Sequence, residues 1–247
     1  MEADGVAVSG GLFQQGSGSM QSVLNAFKQS ASWLPSLAGK FVVFDGPDGS
    51  GKSTQFRRIG ELARRAGLAV CEVRDPGGTA ISERIREVLL DPSLPEMGVR
   101  CELMMYMASR AQLVSEKVEP ALERGELVLA DRYVSSTLAY QGTAGGISKE
   151  EIISVARAAC GRHWPPNLTV VFDVDQATAA TRLNPLLDRM EQKGEAFHKR
   201  VRAGYLEQAR EMSDRYAVID ATRNQDEVTR ATLDAIRAKL VGTEARA

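Results

Sequence analysis

Residues 46–53 carry the strongest chemical signal in the sequence. They read Gly-Pro-Asp-Gly-Ser-Gly-Lys-Ser, which fits the pattern G-x-x-x-x-G-K-[ST], and they stand between an apolar run and a helix-like stretch. Glycines let backbone N–H groups turn toward phosphate oxygens, and the N-terminus of the following helix adds partial positive charge. The pattern predicts nucleotide binding, with Lys52 reaching the β- and γ-phosphates and Ser53 ligating Mg²⁺. The predicted phosphate-binding set is Gly46, Pro47, Asp48, Gly49, Ser50, Gly51, Lys52, Ser53 and Thr54.

Arginines that directly follow apolar runs indicate a second phosphorylated ligand. Arg74 precedes a Pro-Gly-Gly turn that can hold its guanidinium rigidly, and a planar guanidinium suits phosphate. Asp131 ends the apolar run 127–130, as a carboxylate that helps to hold Mg²⁺ does, and Arg132 beside it adds a cation. The alternatives are a surface arginine at position 74 and a structural salt bridge between Asp131 and Arg132.

Tyr106 and Arg110 are four residues apart in a helix-like stretch and therefore share a face. One aromatic ring and one guanidinium on that face could stack on a base and hydrogen-bond to it. The alternative is that Tyr106 belongs to the core with Leu103 and Met107, and that Arg110 caps it at the surface.

The elements that must position these residues alternate regularly along the chain. Short apolar runs predict strands at 41–45, 68–73, 127–131, 168–174 and 216–220. Helical periodicity predicts a first helix that ends at Gly67, a long helix over about 97–124, and helices at 148–160 and 225–240. This alternation predicts an α/β fold, a five-stranded parallel sheet with helices on both faces, in a single domain over residues 40–247.

Residues 1–39 differ from the rest of the chain, because glycine and serine recur there and charges are scarce. We expect a flexible N-terminal leader. One short amphipathic turn that docks on the body is the alternative, built on Val23, Leu24, Phe27, Leu34 and Leu37. Met20 could equally be the first residue of the natural protein.

Composition restricts the partners. The 247 residues carry 31 Lys+Arg against 32 Asp+Glu, so the net charge of −1 provides no general attraction to nucleic acid or to an anionic membrane. No apolar run reaches the ~18–20 residues that span a bilayer. Three widely spaced cysteines, Cys71, Cys101 and Cys160, indicate reduced core thiols of a cytoplasmic protein.

Four further segments, at 74–79, 131–133, 139–142 and 187–192, follow the phosphate-binding loop in an order that resembles bacterial-type thymidylate kinases. The similarity runs from Lys40 to about Leu240, and Arg-x-Pro-Gly-Gly-Thr at 74–79 is its most family-specific part. The resemblance implies a P-loop kinase that uses ATP and Mg²⁺ to phosphorylate dTMP, and a homodimer formed through the long helices.

The resemblance also implies roles for individual residues. Arg74 and Arg132 would bind the phosphate of dTMP, Asp48 would face the 3′-hydroxyl, and Tyr106 and Arg110 would contact thymine. The implied dTMP-binding set is Asp48, Arg74, Tyr106, Arg110, Arg132, Thr137, Tyr140 and Gln141.

A lid at about 182–200 would close over ATP in this family, with Arg182 packed on adenine. Relatives with a small residue at the position of Gly49 usually carry the transition-state arginine in the lid, whereas others carry an arginine in the loop. This chain has Asn184-Pro185 where many bacterial relatives have Arg-Gly, so Arg189 ranks first and Arg182 second as the catalytic arginine. The implied catalytic set is Lys52, Asp131, Arg132, Arg189 and Arg182.

Two rival functions stay open at this point. A kinase for another nucleoside monophosphate would carry the same phosphate-binding residues, because base choice depends on few side chains. A nucleotide-binding module without catalysis is the second, and the departure at Asn184 is its only support.

Overall fold

The computed structural model describes residues 32–182 and 188–242. Five short strands form one sheet in which every pair is parallel and the order is β2-β3-β1-β4-β5. The strands are β1 Phe41–Asp45, β2 Val70–Arg74, β3 Leu127–Asp131, β4 Leu168–Asp173 and β5 Tyr216–Asp220. The order reverses around β1, so the crevice beyond its carboxyl end is where a ligand is expected.

Helices cover both faces of this sheet. They are α1 Lys52–Arg65, α2 Ala80–Leu90, α3 Val99–Leu113, α4 Glu119–Glu123, α5 Val134–Thr137, α6 Lys149–Cys160, α7 Gln176–Ala180, α8 Glu195–Glu211 and α9 Gln225–Leu240. Successive residues of β1 point to opposite faces. Val42 and Phe44 pack toward α1 and α9, whereas Phe41 and Val43 pack toward α3 and α6. The predicted fold class is confirmed.

Several predicted boundaries differ from the structure, and among the small shifts are the end of β4 at Asp173 and the start of α6 at Lys149. Strand β2 begins at Val70, because Leu68 donates its N–H to Ala63 and so belongs to the cap that ends α1 at Gly67, where φ is +88°. The predicted helix 97–124 begins at Val99, and a π turn over Val114–Val118 separates α3 from α4.

The folded body begins before the expected end of the leader. Leu34 and Leu37 lie in a 3₁₀ turn and are buried in the core that α1 and α9 cover. The other three apolar residues of the predicted amphipathic turn lie outside the described residues. None of the described helices is long and apolar enough to cross a membrane. The prediction of core thiols is confirmed for Cys160, which is buried, and is wrong for Cys101, which is exposed at the start of α3. Cys71 is half-buried and packs against the core.

Candidate active site

The phosphate-binding loop leaves its backbone donors free. Gly51 adopts a left-handed conformation, with φ 79°, at the start of α1. Among the described residues, no backbone or side-chain acceptor takes the N–H groups of Gly49, Gly51, Lys52 or Ser53. These donors and Lys52 line one cavity, which we call the phosphate cavity, together with Arg182 and the loop after β5. A cluster of unpaired N–H groups at a helix N-terminus binds anions.

Lys52 lies deep in this cavity, with 7% of its surface exposed. Burial lowers the pKa of its ammonium group, and Arg132 adds to that effect, while Asp131 and Asp48 oppose it. Asp131 therefore acts electrostatically on Lys52 from the end of β3. It does not itself line this cavity or the one beside it.

Close packing holds the loop in place. A Cβ atom on Gly46 would lie 2.4 Å from the carbonyl oxygen of Phe172, and one on Gly49 would lie 2.5 Å from that of Ala179. Both glycines also have positive φ angles, 134° and 75°. The loop is thus fixed against β4 and against the last turn of α7.

Arg132 stands at the centre of the site. It is the non-glycine residue with a left-handed backbone, φ 70°, in the described part of the chain. Its Nη1 donates to Tyr205 Oη at 3.0 Å and to Asp45 Oδ1 at 3.3 Å. Asp45 is completely buried and also accepts from Ser135, Ser136 and Tyr205 at 2.6–2.7 Å. This carboxylate holds Arg132 rigidly beyond the carboxyl end of β3.

Asp48 pairs with Arg132 through Nη2 and accepts from Tyr140 Oη at 2.7 Å. Burial by itself raises the pKa of Asp48, but the charges of Arg132 and Lys52 outweigh it and lower that pKa to about 2. The ionised carboxylate of Asp48 therefore lies where the loop borders a second cavity.

That neighbouring cavity, which we call the acceptor cavity, collects most of the side chains expected to bind the second substrate. Tyr140 and Gln141 enter it from a π turn over Leu138–Thr143, a kind of distortion often found at functional sites. From the predicted set it contains Asp48, Tyr106, Arg110, Arg132, Thr137, Tyr140 and Gln141.

Arg110 reaches the cavity as half of a buried ion pair. It is 1% exposed, and its Nε lies 2.5 Å from Asp75 Oδ2. Its Nη2 donates to the carbonyl oxygen of Tyr133 and to Thr137 Oγ1, both at 3.2 Å. Nη1 contacts Met107 Sδ at 3.1 Å and keeps a second hydrogen. The surface-cap alternative for Arg110 is wrong, because the guanidinium is buried and oriented.

Arg74 does not line the acceptor cavity. Its side chain is half exposed and forms an ion pair with Glu83 at 2.9 Å. Arg86 takes its place in the lining, anchored by a 3.1 Å hydrogen bond to the carbonyl oxygen of Pro76. Sequence reasoning missed Arg86; its position near the middle of α2, one helical turn after Glu83, is the only signal that could have indicated it.

The two candidate lid arginines occupy different places. Arg182 lines the phosphate cavity and donates to the carbonyl oxygen of Ala221 at 3.0 Å. Arg189 is 6% exposed and bonds to Glu102 at 2.6 Å and to the carbonyl oxygen of Leu89 at 2.8 Å. The structure therefore does not bring Arg189 to the phosphate-binding loop, and Asn184-Pro185 lie outside the described residues.

A family model described as thymidylate kinase matches residues 44–232. The chain belongs to the thymidylate kinase family. The thymidylate kinase of Deinococcus radiodurans is 46% identical over 194 residues, which cover 77% of this chain and 92% of that protein. The Geobacillus sp. thymidylate kinase is 39% identical over 210 residues, 83% of this chain and 100% of that protein.

Solved structures agree with this assignment. The crystal structure of thymidylate kinase from Ehrlichia chaffeensis matches with a TM-score of 0.65 at 28% identity, covering 80% of this chain and 98% of that one. The resemblance found in the sequence is confirmed, as is its interpretation as a kinase.

Proposed function

We propose that the chain transfers the γ-phosphoryl group of ATP directly to dTMP, yielding ADP and dTDP. One observation carries the proposal: the phosphate cavity and the acceptor cavity meet at two consecutive residues, since Gly49 lines the first and Asp48 the second. A donor phosphate on one side and an acceptor phosphate on the other would then face each other across the loop. Such a transfer depends on positioning and charge neutralisation.

The loop fits a triphosphate. Its free N–H groups supply hydrogen bonds, and buried Lys52 supplies charge that water does not screen. Arg182 and the loop after β5 line the same cavity, and the resemblance expects adenine beside that loop.

The residues present also fit Mg²⁺. Ser53 places a hydroxyl at the first turn of α1. The carboxylate of Asp131 lies close enough to Lys52 to raise its pKa, and among the described residues it forms no ion pair. These two would hold the ion, which would supply positive charge to neutralise that of the phosphate groups. No cluster of three carboxylate, cysteine or histidine ligands competes for a metal in residues 32–182 and 188–242.

In the acceptor cavity, Arg132 and Arg86 offer guanidinium groups for the phosphate of dTMP. Arg110 would donate its remaining hydrogen to a carbonyl oxygen of the base, and Tyr106 would stack on it. Arg74 would need to leave Glu83 to take the role that the resemblance implies for it.

Arg182 is the arginine we propose to stabilise the transition state. Of the two lid candidates it is the one on the phosphate cavity, and within residues 32–182 and 188–242 its guanidinium is held by one hydrogen bond, to the carbonyl oxygen of Ala221. Arg189 is better explained by its buried contacts.

A homodimer fits the apolar surface of α2 and α3. Ile81 and Val88 on α2 and Met104 on α3 are 55%, 42% and 52% exposed, which is unusual for large apolar side chains. We propose that two copies of the chain contact each other through this face. We also propose that residues 40–247 form a single kinase domain. The unpaired cysteines of the described residues fit the reducing cytoplasm.

A panel assay tests the function. Purified protein with MgATP is offered dTMP, dUMP, dCMP, dGMP and AMP, and diphosphate products are quantified. The highest kcat/KM is expected for dTMP. A different preferred monophosphate would support the rival kinase, and turnover of none would support a binding module without catalysis.

A further inference from the structure

Glu102 on α3 is a buried carboxylate that the reaction described above does not use. It is 1% exposed. Its Oε1 accepts from Arg189 Nη1 and Lys193 Nζ, each at 2.6 Å, and its Oε2 accepts from Gln141 Nε2 at 3.0 Å. Glu102 thereby joins the segment 188–193 to a side chain of the acceptor cavity.

Glu102 is ionised at neutral pH. Burial by itself raises its pKa, but the hydrogen bonds from Lys193, Gln141 and Arg189 outweigh it and hold that pKa below the usual value. An ionised carboxylate accepts hydrogen bonds and donates none. Because an amide has one donor end and one acceptor end, only the Nε2 end of Gln141 can face Glu102.

The other end of Gln141 is therefore an acceptor. Gln141 is 1% exposed and lines the acceptor cavity. No donor among the described residues contacts its Oε1. Thymine and uracil carry a hydrogen on N3, whereas N3 of cytosine is itself an acceptor. An acceptor fixed toward the base would bond to the first two and repel the third.

We propose that Glu102 is a positioning residue for base selection, which fixes Gln141 with its oxygen toward the cavity and so favours pyrimidines that carry N3–H over cytosine. This inference rests on the proposed phosphorylation of dTMP and deepens it. Glu102 acts through Gln141 and touches no substrate.

The variant Glu102→Gln tests the proposal. A glutamine at position 102 can donate or accept, so the amide of Gln141 is free to turn and present Nε2 to the base. We expect the ratio of kcat/KM for dTMP to that for dCMP to narrow by about tenfold or more. The ratio of dTMP to dUMP should stay within about twofold, because both bases carry N3–H and differ only in a methyl group.

Two further variants separate base selection from folding. Lys193→Met removes a donor from Glu102 Oε1 but leaves the bond between Glu102 and Gln141, so it should keep the dTMP to dCMP ratio of the wild type. The double variant E102Q/K193M removes one anion and one cation together, and it should narrow the ratio even where Glu102→Gln alone is too unstable to purify.

An unchanged dTMP to dCMP ratio in a folded Glu102→Gln or double variant would overturn the inference. Equal narrowing in Lys193→Met would overturn it as well, because the effect would then come from the segment 188–193. A wild-type enzyme without activity on dTMP would instead refute the proposed function, and the panel assay shows that result before any variant is made.

Discussion

The phosphate cavity and the acceptor cavity are built by different means. The first presents backbone N–H groups, one lysine and an arginine at its rim. The second presents side chains that are held by buried carboxylates: Arg110 by Asp75, Arg132 by Asp45 and Gln141 by Glu102.

This difference predicts in which cavity a substitution lowers the stability of the protein as well as its activity. Breaking a buried ion pair leaves a charge without a partner, which is costly to the fold. A side chain that faces a cavity of free N–H groups has no such partner to strand. Substitutions in the phosphate cavity should therefore reduce rate alone, whereas those in the acceptor cavity should reduce both rate and stability.

The largest expected effect is that of Lys52→Ala. If Lys52 neutralises charge on the transferred phosphoryl group, as proposed, kcat should fall at least about a thousandfold. The free energy of unfolding should change by less than about 1 kcal/mol. Steady-state kinetics and urea unfolding measure the two, with exposed Lys117→Ala as the control. Retention of most of kcat would contradict the role of the loop.

Arg110→Met should reduce stability as well as rate. It strands the Asp75 carboxylate, which is wholly inside the protein, and should cost about 3–5 kcal/mol of unfolding free energy. The matched control is Arg100→Met, because Arg100 pairs with Glu151 at the surface and should contribute less than about 1 kcal/mol. Urea titrations of both variants measure the difference, and equal losses would remove the distinction between the cavities.

Arg182→Ala should lower kcat by about a hundredfold without loss of stability, if it neutralises charge in the transition state. Arg189→Lys should mainly lower the unfolding free energy and raise KM for dTMP, since Arg189 contacts Glu102. Single-turnover rates and thermal unfolding distinguish the two. The exchanged result would restore Arg189 as the first candidate.

Tyr140 should contribute a smaller, steric effect on sugar choice. Its ring is buried against the acceptor cavity, and in the position over the sugar that the resemblance implies it would leave little room for a 2′-hydroxyl. The wild type should prefer dTMP to its ribose analogue by roughly 10–200-fold in kcat/KM, and Tyr140→Ala should narrow that ratio. Tyr140→Phe keeps the ring and should keep the ratio. An unchanged ratio in the alanine variant would assign sugar choice to another residue.

The smallest expected effect is that of Asp48→Asn on how the unfolding free energy depends on pH at acidic pH. The pKa of Asp48 is lowered from 3.8 to about 2 in the folded chain, so its ionised form stabilises the fold at neutral pH, and this contribution is lost as pH falls from about 4 to 2. Asp48→Asn should therefore lose stability less steeply over that interval. Unfolding free energies at several pH values measure the slope, and equal slopes would show that Arg132 does not stabilise the carboxylate.

Much of the fold could be predicted because its cause is local. Apolar runs of five to seven residues indicated every strand, and among the strand boundaries only the start of β2 and the end of β4 shifted. The phosphate-binding loop could be predicted for the same reason, since its glycines and Lys52 lie within one short segment of the sequence.

The lining of the acceptor cavity was harder to predict from the sequence, because its contacts join distant parts of the chain. Arg189 looked catalytic in its local motif, but its partner Glu102 lies 87 residues away. Arg74 turned to Glu83, and Arg86 entered the cavity from the next turn of the same helix. Which guanidinium points inward depends on tertiary packing that residue spacing does not encode.

Gly49 constrains how this enzyme could change over evolution. Some relatives by resemblance carry an arginine in the loop, but here a side chain at Gly49 would collide with the carbonyl oxygen of Ala179 and strain a backbone with φ 75°. An arginine could enter only after α7 had moved, and moving α7 would displace Arg182, two residues beyond its end. Replacing one arrangement by the other would therefore require coupled changes at Gly49, in α7 and at Arg182.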